Sequence, residues 1–167
     1  MKSLKNFLKK FTFKRVGITL VVIFVVMQAF RIDKTNPPID QTKDFIEVNK
    51  PSPEIASLIK SGCYDCHSNE TVYPWYTNVA PVSWWIKDHI NEARRHLNFN
   101  NWTTYNSKKQ DKKLRECVEN INEGDMPMDS YTWMHKLSDL TKVQQKVLTD
   151  YFNSLRTHES GEGKPKK

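Results

Sequence analysis

The residues best equipped for chemistry are the run Cys63-Tyr64-Asp65-Cys66-His67. Two thiols two residues apart, followed at once by an imidazole, form the attachment signature of c-type haem. Each thiol can add to one vinyl group of a porphyrin, which staples the peptide to the ring edge at two points. The staple brings the next residue beneath the iron, where an imidazole nitrogen can ligate it. Two other chemistries use Cys-x-x-Cys. A redox dithiol of thioredoxin type expects a βαβ setting, and this chain shows almost no strand pattern. A structural zinc site needs four ligands, usually as paired half-sites. Here Cys117 is the only further cysteine. The expected cofactor is therefore one covalently bound haem c, with Cys63 and Cys66 as thioethers and His67 as proximal iron ligand.

A second iron ligand is expected about sixty residues on, in Gly124-Asp125-Met126-Pro127-Met128. Proline fixes φ and blocks helix, so a methionine before it rides on a stiff loop. A stiff loop can hold a weak thioether on iron with little reorganisation, and such a ligand favours Fe(II). Met126 is the expected distal ligand because it precedes the proline; Met128 is the fallback, and a histidine or an open position is the remaining alternative. His135 lies nearby, while His89 and His96 share one face of a helix. Tyr73, Trp75 and Tyr76 are candidates to wrap the haem edge. Arg94 and Arg95 are candidate partners for its propionates, since guanidinium matches carboxylate geometry. Generic core packing for the aromatics and solvated helix charge for the arginines are the competing readings.

Helices must position these groups. Ser52 is a candidate N-cap for a short helix opening at Pro53, with Ile55, Leu58 and Ile59 on one face, that delivers the pentapeptide beyond Gly62. Residues 80–97 read as a helix striped by Ile86, Ile90, Ala93 and Leu97. Residues 107–121 read as another, opened by a Ser107/Gln110 capping box. Its buried face is Leu114, Cys117, Val118 and Ile121, which makes Cys117 a small core residue. A closing helix over 137–156 carries a second capping box, Thr141/Gln144.

The net charge of +7 does not indicate nucleic acid. Six positives and no acid sit in Met1–Arg15, and three lysines against two glutamates in residues 158–167; the region between is formally neutral. Val16–Phe30 is apolar apart from Gln28. Fifteen residues is short of the about 20 of a spanning helix and falls within signal-peptide range. No small-x-small cleavage site follows it. Phe11, Phe13 and the stems of Lys14 and Arg15 can lengthen the span by snorkelling. An uncleaved transmembrane anchor is thus expected, with the basic end cytoplasmic and the rest outward. The expected organisation is a basic segment 1–15, an anchor or signal segment 16–31, a linker 32–53, a haem domain 54–157 and a flexible tail 158–167.

The stretch 44–156 resembles the haem-binding domain family of small bacterial membrane-anchored monohaem proteins. The residues that carry the resemblance are Cys63-Tyr64-Asp65-Cys66-His67-Ser68-Asn69-Glu70-Thr71, Tyr73-Pro74-Trp75-Tyr76 and Ala80-Pro81-Val82-Ser83-Trp84. Arg94-Arg95-His96-Leu97-Asn98-Phe99 and Met126-Pro127 with Tyr131 complete it. The resemblance implies covalent haem on Cys63, Cys66 and His67, with an N-terminal membrane segment. The fold expected is all-α and cytochrome c-like, with four to five short helices around one haem behind a transmembrane helix. The function expected is single-electron transfer in the periplasm, on the outer side of the bacterial inner membrane, rather than enzyme catalysis. The partners expected are redox proteins, the haem c maturation machinery and the membrane. A haem-based ligand or redox sensor, or a peroxidase-like protein, is the alternative.

Overall fold

A computed structural model describes the backbone of residues 2–156 and the side chains of residues 12–156; the tail 158–167 lies outside the described residues. All regular structure among the described residues is helical: α1 (Lys2–Met27), α2 (Phe45–Asn49), α3 (Pro53–Ile59), α4 (Asp65–His67), α5 (Val82–His96), α6 (Ser107–Glu123), α7 (Asp129–Thr132) and α8 (Lys142–Ser154), with short 3-10 turns and one π turn between them. The chain divides into two compact units, Met1–Thr35 with Tyr73–Asn91, and Asn36–Val72 with Glu92–Lys167.

In the first unit the expected transmembrane helix is corrected. No helix among the described residues is long and apolar enough to cross a membrane. α1 has 26 residues, but the stretch up to Arg15 carries Lys2, Lys5, Lys9, Lys10, Lys14 and Arg15. Its apolar part, Val16–Met27, would span only about 18 Å at 1.5 Å per residue, against a hydrocarbon core of about 30 Å. The apolar run seen in the sequence also continues beyond the helix. Gln28, just past its end, donates its side-chain amide to the carbonyls of Phe24 (2.8 Å) and Ala80 (3.1 Å) and accepts from the Ala80 N–H (2.9 Å). The Trp84 indole then donates to the Phe30 carbonyl at 2.7 Å.

The second unit is built around Phe45, which is 0% exposed. Its ring meets Phe99, Trp102 and Phe152 edge-on at 5.1, 4.9 and 6.0 Å between centroids. Phe45 belongs to the stretch expected as a linker. Few apolar residues mark that stretch, but one fully buried aromatic at the head of a capped turn is enough to bind it to a core. Asp44 supplies the cap, accepting from the Ile46 and Glu47 N–H groups at 2.8 and 3.2 Å. α6 packs along α8. The Thr141/Gln144 capping box opens α8, so the closing helix begins at Lys142 and not at the expected residue 137. The preceding Lys136–Ser138 forms a 3-10 turn. The cap of α6 is Asn106, whose side chain accepts from the Lys109 N–H, one residue earlier than the expected Ser107. α6 stops at Gly124, whose φ of +83° is the left-handed conformation that favours glycine.

Candidate functional site

α3 starts as the sequence indicates, with Pro53 in its first turn and Ser52 accepting from the Ile55 N–H. Leu58 and Ile59 are buried. Gly62 does not end the helix. The backbone widens into a π turn over Lys60–Tyr64 and resumes as α4. Single π turns within helices recur at functional sites. Positions i, i+3 and i+4 of helical backbone share one side, so Cys63, Cys66 and His67 project together.

His67 Nδ1 lies 3.1 Å from the Leu97 carbonyl oxygen. A carbonyl only accepts, so Nδ1 carries the proton and Nε2 keeps its lone pair for a metal. Burial lowers the imidazole pKa, and the ring is neutral at pH 7, as a ligand must be. Burial also pushes the Cys63 thiol up, Cys66 to about 11 and Cys117 to about 12. Protonated thiols of this kind lack the depressed pKa of a redox dithiol. No cluster of three or more His, Cys, Asp or Glu side chains among the described residues could hold a metal ion, which leaves zinc without a ligand set.

The return from the pentapeptide is tightly held. Asn69 N–H donates to Asn100 Oδ1 at 2.6 Å, and Thr71 Oγ1 to the Asp65 carbonyl at 2.5 Å. Arg94 clamps the same loop. Its Nε donates to the Ser68 carbonyl (2.7 Å), and one terminal nitrogen donates to Thr71 Oγ1 (2.8 Å) and Asn36 Oδ1 (2.9 Å). Arg95 is exposed and ion-paired with Glu92. Tyr73, Trp75 and Tyr76 belong to the first unit. There Tyr73 accepts from Lys87 at 3.2 Å, while Trp75 is exposed and edge-on to Tyr76 at 5.8 Å.

The methionine loop docks on the turn that carries Gly62 and Asp65. Beyond Gly124, the N–H groups of Asp125 and Met126 both donate to the Asn120 carbonyl, at 2.9 and 3.2 Å. Pro127 then packs over Gly62; a Cβ there would lie 3.5 Å from the proline ring. Tyr131 Oη donates to Asp65 Oδ2 at 2.7 Å, and Ser138 Oγ to the Ser61 carbonyl at 2.6 Å. Met126 and Met128 are both half-buried, and Met128 occupies the cap position of α7. The other histidines among the described residues are engaged locally. His135 stacks on Tyr131 at 4.1 Å, and His89 packs on Trp85 at 4.3 Å. His96 lies 2.9 Å from Glu92 at the surface.

The second unit thus brings together Cys63, Cys66, His67 and the Met126–Met128 loop, with Arg94 on the adjoining turn. Sequence reasoning missed the Leu97 carbonyl, the Asp65–Tyr131 bond and the Ser61–Ser138 bond. Asp65 and Tyr131 stood inside the motifs already singled out, but nothing in their spacing pairs them. The donor set (two neutral thiols, an imidazole with one nitrogen committed, and a thioether on a docked loop) fits a haem held by both cysteines.

Such a set defines a haem protein of helical fold. The family described as Haem-binding domain matches residues 22–154, and the chain belongs to it. Comparison with curated proteins found no match, nor did comparison with solved structures.

Proposed function

We propose that this haem protein is a monohaem c-type cytochrome that carries single electrons. Cys63 and Cys66 would hold the haem as thioethers, His67 Nε2 would be the proximal ligand and Met126 the distal one, with Met128 as fallback. The observation that carries the reading is the His67 Nδ1 bond to the Leu97 carbonyl, which commits that nitrogen as the donor and leaves the ring lone pair on Nε2. Haem supplies, when bound, an iron that takes up and gives back one electron. The chain's own part is to keep that exchange cheap in reorganisation. Leu97 fixes the imidazole plane and makes His67 a better donor. Arg94 holds the turn leaving His67. The Met126 thioether, a soft neutral donor, favours the reduced state. Covalent attachment supports a periplasmic location, on the outer side of the bacterial inner membrane, with haem c maturation proteins and redox proteins as partners.

The test is the protein produced with haem-attachment machinery. The pigment should survive acid–acetone extraction, and Cys63→Ala and Cys66→Ala should each lose one thioether. The reduced protein should bind carbon monoxide poorly. Ready binding would instead favour the sensor or peroxidase-like reading. A far-red sulfur-to-iron band should vanish in Met126→Ala and persist in Met128→Ala. A colourless or extractable product overturns the proposal.

A further inference from the structure

We infer that Tyr131 is a positioning residue for the sixth ligand: its phenol, bonded to Asp65 between the two attachment cysteines, latches the methionine loop onto the turn that holds the porphyrin. The inference rests on the thioether ligation proposed above.

The segment after α6 meets the turn Ser61–Asp65 at three residues, Pro127, Tyr131 and Ser138, and Tyr131 Oη also lies 3.5 Å from the Ser61 carbonyl that Ser138 bonds. Pro127 lies over Gly62, Ser138 Oγ bonds the Ser61 carbonyl, and Tyr131 Oη bonds Asp65 Oδ2. Asp65 is itself immobilised, because its other carboxylate oxygen accepts from the Val72 N–H at 3.0 Å. The loop that carries Met126 and Met128 is therefore pinned at Pro127 and again beyond Met128, on both occasions to residues beside Cys63 and Cys66. Moving the methionine away from the iron together with its loop strains or breaks these bonds. A hydrogen bond to a carboxylate is the strongest of the three contacts, so Tyr131 contributes most to keeping the sixth position closed.

The test uses the matured ferric protein and two readings, the far-red sulfur-to-iron band and titration with imidazole, which competes for the sixth position. Tyr131→Phe should weaken or abolish the band and tighten imidazole binding by about tenfold, the size expected for losing a hydrogen bond to a charged group. Ser138→Ala should shift both readings in the same direction by less, and it carries the test if Tyr131→Phe fails to fold. Asn106→Ala removes the cap of α6, far from the latch. It should lower the unfolding temperature and leave imidazole affinity unchanged, which separates latching from general stability. If the parent protein shows the band and Tyr131→Phe matches it in both readings, the latch is refuted and the ligation stands. If the parent protein itself lacks the band, the ligation fails and the latch falls with it.

Discussion

Arg94 separates two readings of the same side chain. Its sequence position suggested a propionate partner, whereas the structure has its guanidinium holding Ser68, Thr71 and Asn36. Consider Arg94→Ala. Thr71 and Asn36 are polar side chains that can find water or rotate. The Ser68 carbonyl cannot easily do so, because Ser68 is 0% exposed. An acceptor orphaned in this way costs about 1–3 kcal/mol, and a bond to a charged donor is worth about 1.5–3 kcal/mol net. The three bonds share one side chain and do not add, so the expected loss is about 2–3 kcal/mol. Arg95→Ala, which removes an exposed ion pair, should cost under about 0.5 kcal/mol. Urea unfolding followed by far-ultraviolet circular dichroism gives both values at constant m. Cyclic voltammetry on the same samples reports any charge near the iron. If Arg94→Ala unfolds at the same urea concentration as Arg95→Ala but shifts the reduction potential, then Arg94 acts on the haem and the clamp reasoning is wrong.

Three further outcomes follow from the packing. Phe45→Ala should cost about 3–5 kcal/mol, as for other fully buried aromatic rings, read from thermal unfolding; a change below about 1 kcal/mol would remove Phe45 from the centre of its unit. Burial raises Cys117 from 9.0 to about 12, so the unfolded chain gives up this proton first, and the stabilisation present below pH about 9 is lost as pH rises toward 12. Between pH 8 and 10 the parent protein should therefore lose about 1.4 kcal/mol more than Cys117→Ala in urea unfolding, and equal slopes would show that the thiol is not buried. At Gly62, alanine brings a Cβ only into ordinary contact with Pro127, so Gly62→Ala should keep the far-red band, whereas the branched side chain of Gly62→Val should displace the proline and weaken it.

The sequence was most legible where local chemistry decides. Ser52 and the Thr141/Gln144 box act within a few residues of themselves, and each caps a helix start. Cys63, Cys66 and His67 carry their own spacing, so their common side follows from the helix alone. Long-range pairings were not legible. Asn100 illustrates why. It donates to Asp44 Oδ2 and accepts from Asn69, so it ties three distant segments together, yet an asparagine in an aromatic loop reads as surface. The N-terminal segment misled for a different reason. Counting apolar letters from Val16 to Phe30 ignores where the helix stops, and Gln28-Ala29-Phe30 lie outside it.

The two spacer residues of the pentapeptide show how such a motif becomes part of a fold. Tyr64 points inward, stacked on Phe99 at 5.4 Å, with its hydroxyl donating to Asp44 at 2.9 Å. That carboxylate also caps α2 and accepts from Asn100. Asp65 turns the other way and takes Tyr131 and the Val72 N–H. Attachment chemistry needs only that two residues separate the thiols, so their identities are free to serve packing. Here one spacer fastens the turn to the aromatic core and the other fastens it to the methionine loop. The turn is therefore held from both sides by contacts that need no porphyrin. Under the ligation proposed above, a ligand set held in this way would lose little freedom on binding iron, the condition for small reorganisation on electron exchange.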